Sequence, residues 1–435
     1  MPVRRGCCRA PGDLRRGPGD GAGHARELLR GDQRRPDVVA SRRRRALRHL
    51  CRRLSGVTDE PVRTYLDAAS TTPLLPGARE ALIEWYTSGG VAGDPGRIHY
   101  DGMRSRVAIE DARRFVAGML GCSAREVVFT SGATESIAAA TWGARARDPQ
   151  RQHVVFAAVE HSAVREWSER GPFSVVGVDR TGLIDIDELV AAIRPETGLV
   201  HIQWGNHEVG TLQPVEQVTA ACGKRGVLVH IDAAQAAGRV SIDLASLNAD
   251  LVSISGHKFG GPTGTGALVV RRGLRIPPLL IGGDQERARR AGLEHTAGII
   301  GLGAAAAEIT ETRSAIEAQC RLLTDSVRSW AGHAEGVEVL GADADGSLPH
   351  LVCLGLDGLE PQPVLLGLDA LGVSVHSGSS CSSESLEPSP VLEAMGVDAD
   401  RSLRVSVSWA NTAADIDRFT VAADQVLAEL RALRG

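Results

Sequence analysis

The sequence predicts an α/β fold in which helices cover both faces of a mostly parallel sheet. Short and nearly uninterrupted apolar runs alternate with segments of helical periodicity over about 64–300. Such runs are typical of strands that are buried on both faces, as they are in parallel sheets. Polar residues directly follow several of the runs, and in open α/β sheets ligands bind outside the carboxyl ends of the strands. The sequence therefore also predicts a ligand site at one edge of the sheet.

The first part of the ordered chain contains the elements of this sheet. A short strand at 64–67 and a helix at 78–86 precede a glycine-rich loop at 89–102 and a helix at 105–120. Further strands are predicted at 127–130, 153–157, 174–178, 199–204, 227–231, 251–254 and 267–270. Helices are predicted between them at 131–140, 185–193 and 215–224. The alternation indicates one large domain, to which we assign residues 64–312.

The pattern changes after a long helix predicted at 301–330. Strands and helices no longer alternate regularly, so we predict a smaller C-terminal α+β domain over residues 313–435. Its strands are predicted at 337–340, 351–356, 373–376 and 403–408, and its helices at 363–371 and 413–433.

Residues 1–63 differ from the remainder of the chain in charge. The first 53 residues hold 16 Arg against 5 Asp and Glu, a net charge of +11, whereas the rest holds 33 Lys and Arg against 48 Asp and Glu, a net charge of −15. Because no periodicity is sustained there, we predict a disordered arm. A solvated tail, or residues upstream of the true translation start, is favoured over an RNA-binding or targeting arm. The acidic body argues against DNA binding.

The spacing of cysteine and histidine excludes several classes of protein. The eight cysteines form no CxxC pair, which argues against a disulfide framework or a zinc ribbon and for a reducing cytoplasm. The 13 histidines show no metal-ligand spacing, so no metal is expected. No apolar run reaches membrane-spanning length. We therefore expect a cytoplasmic protein that does not contact a membrane.

One lysine, Lys258, lies just after a predicted buried strand. Lys258 and Lys224 are the only lysines among the 49 basic residues, and Lys258 follows the strand at 251–254 and begins a glycine-rich turn. A desolvated lysine can form an imine or lose its proton near neutral pH, and an arginine can do neither. The position predicts Schiff-base chemistry with pyridoxal phosphate. A chance surface lysine is the alternative, and it is the interpretation we keep for Lys224.

Other polar groups are predicted at the same edge of the sheet. The stretch Ser131–Ser136 leads from a strand into a helix, and a helix N-terminus can bind a phosphate through its backbone N–H groups and its dipole. The alternative is a simple helix cap by Thr134 or Ser131. Further strand ends are followed by Glu160–His161, Asn206–His207, Asp232–Gln235 and Ser255–Lys258. The run at 260–266 fits neither GxGxxG nor GxxxxGK[ST], which excludes a dinucleotide site and a P-loop.

A loop of small polar residues at 376–385 contains a single thiol, Cys381. Such residues give the exposure and mobility that a nucleophilic cysteine needs and a structural one does not. The loop therefore predicts a nucleophile, with an inert exposed thiol as the alternative. Four other cysteines lie in helical or strand patterns and are predicted to be core thiols, namely Cys122, Cys222, Cys320 and Cys353.

The motifs of this chain, taken together, resemble those of the cysteine desulfurases, which are pyridoxal-phosphate enzymes of fold type I in the class V aminotransferase superfamily. The resemblance covers about 64–434 and rests on YLDAASTTPL, VVFTSGATES, VEHSAV, NHEVGTLQPV, HIDAAQAAG, SISGHKFGGPTGTGAL, GGDQERARRAGLE, SGSSCSSESLEPSPVLEAMG and SLRVSVSW, in the order of the family. It implies a seven-stranded, mostly parallel sheet in the large domain. The cysteine loop is similar to the longer-loop branch, which serves iron–sulfur cluster and thionucleoside synthesis.

The resemblance implies roles for single residues. Lys258 is expected to hold pyridoxal 5'-phosphate through a Schiff base and later to move protons at the substrate carbon. His161 is expected to stack on the cofactor ring and transfer protons. Asp232 is expected to pair with the pyridinium nitrogen, and Gln235 to contact the ring hydroxyl. Cys381, as a thiolate, is expected to attack the sulfur of the substrate. Further cofactor contacts are implied for Gly132, Ala133, Thr134, Ser255 and His257.

The substrate contacts and two departures from the family pattern complete the predicted site. Arg404 is expected to bind the substrate carboxylate through its planar fork of donors, and Asn206 is a further substrate candidate. His207 stands where the family usually has Asn, and its imidazole can make a similar hydrogen bond to the cofactor ring. Leu293 stands where the family usually has a Thr that reaches the phosphate in the neighbouring subunit. Leucine cannot donate that bond.

The resemblance implies a homodimer that removes sulfur from L-cysteine. The products are L-alanine and a persulfide on Cys381, which is passed to a sulfur-acceptor protein such as an iron–sulfur scaffold or a tRNA-thiolating enzyme. The alternatives are a selenocysteine lyase, another carbon–sulfur lyase or aminotransferase, and a non-catalytic scaffold that has kept the fold. Cys381 favours the desulfurase over the other enzymes, since those reactions need no enzyme thiol. The sequence leaves the acceptor open.

Overall fold

A seven-stranded sheet lies at the centre of the computed structural model, which describes residues 63–88, 93–377 and 388–433. These residues all belong to one unit, Val62–Gly435. The predicted arm lies outside the described residues apart from Arg63, and so does the loop segment 378–387 that contains Cys381.

The strands and helices have the following bounds. The strands are β1 (Thr64–Tyr65), β2 (Val127–Thr130), β3 (His153–Ala157), β4 (Phe173–Val176), β5 (Thr197–Gln203), β6 (Leu228–Asp232), β7 (Leu251–Ser255), β8 (Gly266–Val270), β9 (Val337–Leu340), β10 (Leu351–Leu356), β11 (Val373–Ser374) and β12 (Ser402–Ser406). The helices are α1 (Pro76–Thr87), α2 (Tyr100–Leu120), α3 (Ala133–Arg147), α4 (Ser162–Ser168), α5 (Ile186–Ala192), α6 (Val215–Gly223), α7 (Leu244–Leu247), α8 (Thr296–Ala331), α9 (Pro361–Ala370), α10 (Pro390–Ala394) and α11 (Ala413–Ala432).

The central sheet has the strand order β2-β8-β7-β6-β5-β3-β4. Strands β4, β3, β5, β6 and β7 pair in parallel, and β8 runs antiparallel to both of its neighbours. Strands β3, β6, β7 and β8 are buried along their whole length, which is why they are mostly apolar in the sequence. The predicted α/β class with a mostly parallel sheet of seven strands is confirmed.

Helix α2 begins earlier than the sequence predicted. The glycine content of 89–102 indicated a loop, but the helix starts at Tyr100 because the His99 imidazole caps it and accepts a hydrogen bond from Gly102 N at 3.2 Å. A Cβ atom at Gly102 would lie 2.6 Å from the Asp94 carbonyl oxygen. The glycine therefore permits a close approach of two backbones inside a helix.

The chain after β8 packs around a second hydrophobic cluster. Strands β9, β10 and β12 form an antiparallel sheet, and β11 pairs in parallel with β1. Helix α8 contributes Leu302 and Ile309 to the core that contains the central sheet, and Leu323 and Val327 to the second core. The predicted boundary between residues 312 and 313 falls within this helix, and the division into 64–312 and 313–435 stays a prediction.

The cysteines of the two cores are poor nucleophiles. Cys222, Cys320 and Cys353 are buried and Cys122 is partly buried. Burial raises the pKa of the Cys222 and Cys353 thiols to about 12, so both stay protonated at neutral pH.

The part of the chain that the structure describes contains no helix with the length and apolar character needed to cross a membrane.

A buried ion pair fixes the segment between β8 and α8. Arg113 of α2 binds both carboxylate oxygens of Glu286 at 2.7 and 2.8 Å, and Phe129 N of β2 donates to the same carboxylate at 2.8 Å. The backbone at Glu286 has a φ of +48°, and the next two residues are also in the left-handed region. Because such residues cost about 1–3 kcal/mol each, the ion pair holds a strained turn in place.

Replacing Glu286 by glutamine is expected to lower the free energy of unfolding by about 3–5 kcal/mol, because Arg113 then stays buried without its full counter-charge. Urea unfolding at a fixed protein concentration measures the loss. Glu110→Gln is the matched control: Glu110 binds the same guanidinium at 3.1 Å but is 40% exposed, so less than about 1 kcal/mol should be lost. Equal losses in the two variants contradict a special contribution of the buried pair.

Candidate active site

A cavity of about 580 Å³ opens at the carboxyl ends of the parallel strands. All ten residues predicted to bind the cofactor line it, namely Gly132, Ala133, Thr134, His161, His207, Asp232, Gln235, Ser255, His257 and Lys258. They come from the ends of β6 and β7 and from the segments that follow β2, β3, β5, β6 and β7. The topology thus brings together side chains that are up to 126 positions apart in the sequence, from Gly132 to Lys258.

The N-terminus of α3 forms one wall of the cavity. Its N-cap is Gly132, and no side chain caps the helix, so the alternative of a simple cap by Thr134 or Ser131 is not found. Gly266 of β8 permits this arrangement, because a Cβ atom there would lie 2.6 Å from the Gly132 Cα atom. Without a side-chain cap, the first turn of the helix presents its dipole and backbone N–H groups toward the cavity. This wall is suited to an anion.

Arg290 and Glu135 stabilise the N-terminus of α3 through hydrogen bonds. Arg290 binds Glu135 in the first turn of α3 at 2.8 Å, and the Glu135 carboxylate accepts a hydrogen bond from Ser131 N at 2.9 Å. These contacts connect the strained turn at Glu286 to the start of the helix. His257 also lines the cavity, and burial and the charge of Lys258 lower the pKa of its imidazole to about 4, so this ring is neutral at neutral pH.

Lys258 projects into the cavity from a short 3-10 turn after β7. Its Nζ atom donates to the Ala69 carbonyl oxygen at 2.6 Å. Burial, followed by the positive charge of Arg404, lowers the pKa of the amine to about 8, and the carboxylates of Asp67 and Asp232 oppose this shift. A larger share of the amine is therefore neutral, and so nucleophilic, near neutral pH than for an exposed lysine.

Asp232 is the last residue of β6 and is 7% exposed. Its Oδ1 atom accepts hydrogen bonds from Ser253 Oγ and from Ala234 N, both at 3.0 Å. These two donors orient the carboxylate at the cavity. Gln235, three residues further on, donates from Nε2 to the Ala69 carbonyl oxygen at 2.8 Å, which is the same acceptor that Lys258 uses.

His161 and His207 both line the cavity, and their rings are in edge-to-face contact. Their ring centroids are 5.1 Å apart at an interplanar angle of 64°. Burial, and then His207, lowers the pKa of His161 to about 4. His161 Nδ1 accepts a hydrogen bond from Ala163 N at 3.1 Å, so the neutral ring carries its proton on Nε2. His207 Nδ1 lies 3.4 Å from Gln203 Oε1.

The two residues predicted to bind substrate do not line the cavity. Arg404 is 1% exposed and lies behind it, where its guanidinium binds Asp67 at 3.0 Å, Ser70 Oγ at 2.8 Å and the His207 carbonyl oxygen at 2.7 Å. A substrate carboxylate would have to compete with Asp67. The Asn206 side chain is engaged elsewhere: its oxygen accepts from the backbone N–H groups of the next turn, and its nitrogen donates to the Val159 carbonyl oxygen.

Some residues of the cavity were not predicted. Ser70 and Thr71 come from the turn after β1, Gln203 ends β5 beside Asp232, and Thr263 and Gly264 follow Lys258. Gln203 could have been predicted from the sequence, since it is the final residue of a buried parallel strand. Nothing local in the sequence placed the turn after β1 beside Lys258, because that contact joins segments far apart in the chain. Cys381 lies outside the described residues.

The donor set suits a phosphate-bearing aromatic aldehyde. It offers an amine with a lowered pKa, a buried carboxylate, a neutral imidazole ring and an uncapped helix N-terminus around one cavity.

The sequence of this chain is similar to those of known proteins. The model of the aminotransferase class-V family matches residues 64–419. A cysteine desulfurase of Nostoc sp. is 38% identical over 378 residues, which cover 85% of this chain and 94% of that protein.

Two solved structures are similar as well. One, described as a NifS-like protein, has a TM-score of 0.79 and 31% identity and covers 85% of this chain and 100% of its own. The other, described as SspA in complex with cysteine, has a TM-score of 0.70 and 29% identity over 79% of this chain and 99% of its own. The chain belongs to the class-V aminotransferase family and, within it, to the cysteine desulfurases.

Proposed function

We propose that the protein is a pyridoxal-phosphate-dependent cysteine desulfurase that converts L-cysteine to L-alanine and a persulfide on Cys381. The observation that carries the proposal is the cavity itself. The Lys258 amine, the Asp232 carboxylate, the neutral His161 ring and the N-terminus of α3 all meet there. The family supports the proposal, since it is dependent on pyridoxal phosphate, and a similar structure was solved with cysteine.

The residues present fit the cofactor. Lys258 would hold it covalently, and Asp232, fixed by Ser253, would bind the ring nitrogen. The first turn of α3, with Ser255 and His257, would bind the phosphate. The neutral ring of His161 would stack on the cofactor, and Gln235 or His207 would contact the ring hydroxyl. The cofactor, when bound, supplies an electron sink that stabilises negative charge at the substrate Cα.

The chain itself would supply proton transfer and the sulfur acceptor. The neutral Lys258 amine takes or returns a proton at the substrate Cα, and the His161 Nε2 proton serves as a donor. The Cys381 thiolate forms a bond to the substrate sulfur while the bond between that sulfur and Cβ breaks. The electron pair of the broken bond stays on carbon, which takes up a proton to give alanine. The sulfur is oxidised and the carbon reduced, so the step needs no other redox partner.

The proposal also includes the oligomeric state of the protein, its acceptor protein and its location in the cell. Several large apolar side chains are exposed near the segments 98–103 and 280–293, among them Ile98 (93%), Ile281 (82%) and Leu293 (63%). We propose that a second copy of the chain covers them in a homodimer. The persulfide would pass to an acceptor protein in iron–sulfur cluster assembly or tRNA thiolation. The cysteine pattern supports a cytoplasmic location.

The test is the release of alanine and sulfide from L-cysteine in the presence of a reductant. Cys381→Ala is expected to bind the cofactor as the wild type does but to lose product formation by at least about 10²-fold, because no thiolate is left to accept the sulfur. Cys122→Ala, at a partly buried thiol in the body of the protein, is the control and should keep its rate. A Cys381→Ala enzyme as fast as the wild type would favour a carbon–sulfur lyase or aminotransferase instead.

A further inference from the structure

Arg239 lies directly beneath the cavity and contacts the backbone of Lys258. Its Nη2 atom donates to the Lys258 carbonyl oxygen at 2.9 Å and to Thr72 Oγ1 at 2.6 Å. Thr72 Oγ1 in turn lies 2.9 Å from the Lys258 carbonyl oxygen, and Thr72 N donates to the His257 carbonyl oxygen at 2.8 Å. Three segments, at residues 68–72, 236–239 and 257–258, are therefore joined behind the reactive amine.

The guanidinium of Arg239 is buried without a counter-charge. The side chain is 4% exposed, and its Nε atom has no hydrogen-bond partner in the described chain. Over residues 63–88, 93–377 and 388–433, no carboxylate lies within the 4.0 Å of its nitrogens that an ion pair requires. Burial lowers the pKa of Arg239, and Cys320 acts in the opposite direction. Burying a cation without a counter-charge is unfavourable, which points to a role for this charge beside Lys258.

We propose that Arg239 is a positioning residue for Lys258: it fixes the lysine backbone from the buried side and places an uncompensated positive charge behind the amine. The proposal rests on the function proposed above, since it concerns the lysine assigned to the cofactor. Arg239 does not line the cavity, and its guanidinium donates hydrogen bonds to the Lys258 carbonyl oxygen and to Thr72.

The positive charge of Arg239 lowers the pKa of the Lys258 amine. A nearby positive charge disfavours the ammonium form and so favours the neutral nucleophile. Arg239 is one of several contributors to the lowered pKa of Lys258, after burial and Arg404, while Asp67 and Asp232 act oppositely. Four imidazoles also interact with this amine, and burial lowers the pKa of each, so all are neutral at neutral pH: those of His161, His257, His350 and His376. Removing the Arg239 charge should therefore raise the pKa of Lys258.

The lysine content of this chain makes the pKa directly measurable. Reductive methylation of the full-length protein, freed of cofactor, with ¹³C-formaldehyde labels Lys258, Lys224 and the terminal amine, because the chain has no other lysine. The ¹³C methyl resonance of Lys258 is assigned by its loss in Lys258→Ala and followed against pH, with Lys224 as the reference within each sample. In Arg239→Gln we expect the proton affinity of Lys258 to rise about threefold.

An unchanged Lys258 titration in a folded Arg239→Gln protein overturns the proposal. If Arg239→Gln does not fold, as judged by circular dichroism, Thr72→Val takes its place. That change removes the hydroxyl that joins Arg239 to Lys258, and the Lys258 resonance is then expected to broaden or split. An identical, sharp resonance contradicts the positioning role. A protein that binds no pyridoxal phosphate fails the proposed function, but it leaves this measurement intact.

Discussion

Replacing Lys258 by alanine is expected to abolish desulfurase activity, with a loss of at least about 10³-fold, and to remove covalent attachment of the cofactor. The amine is the only lysine nitrogen that lines the cavity within the described chain, and its pKa of about 8 keeps part of it neutral at neutral pH. Arginine, which is abundant in this protein, cannot replace it, because a guanidinium does not form an imine. Lys258→Arg is therefore expected to be as inactive as Lys258→Ala.

The measurement has two parts and a matched control. Borohydride reduction followed by mass analysis should fix one cofactor mass on the wild type and none on Lys258→Ala. Lys224→Ala removes the other lysine, which follows α6 away from the cavity, and should leave both labelling and alanine release unchanged. Labelling on Lys224, or a wild type that carries no cofactor mass at all, would favour the non-catalytic scaffold.

The sequence predicted well those elements that are determined by the residue pattern of their own segment. Strands β2, β3, β9 and β10 were predicted with the bounds that the structure has. Strands β2, β3 and β10 are visible as buried and mostly apolar runs, and β9 as an alternation of apolar and polar residues. Lys258 and Asp232 were visible for the same reason, since each lies at or just after the end of such a run. Parallel topology then brings all strand ends to one edge, so the candidate site followed from the fold class.

The surroundings that the sequence did not indicate depend on contacts between distant segments. Arg404 was assigned to the substrate, yet its guanidinium is bound by Asp67, Ser70 and the His207 carbonyl oxygen, which belong to segments some 200 to 340 positions away. Asn206 follows a strand as expected, but its side chain closes its own turn. Arg239 was not singled out at all. Burial without a counter-charge has no signature in a single sequence.

Replacing Asp232 by asparagine is expected to slow alanine formation by about 10²-fold to 10⁴-fold while the protein stays folded and keeps its cofactor. The amide oxygen can still accept from Ser253 and Ala234, so the local structure is preserved, and only the negative charge is lost. Without that charge the ring nitrogen of the cofactor has no anionic partner, and the electron sink is weakened. Asp250→Asn is the control, because Asp250 is a comparably buried carboxylate at the opposite end of β7.

The same variant has a second consequence that does not depend on catalysis. The Asp232 carboxylate raises the pKa of Lys258 against the larger effect of burial, so its neutralisation should move that pKa below its value of about 8. The two-lysine ¹³C titration of the cofactor-free protein reads this shift, and its sign is opposite to that expected for Arg239→Gln. A Lys258 pKa that rises in Asp232→Asn, or a rate equal to that of Asp250→Asn, is incompatible with Asp232 acting through its charge. The two variants together thus separate electrostatic control of the amine from damage to the fold, because general damage would move both titrations in one direction.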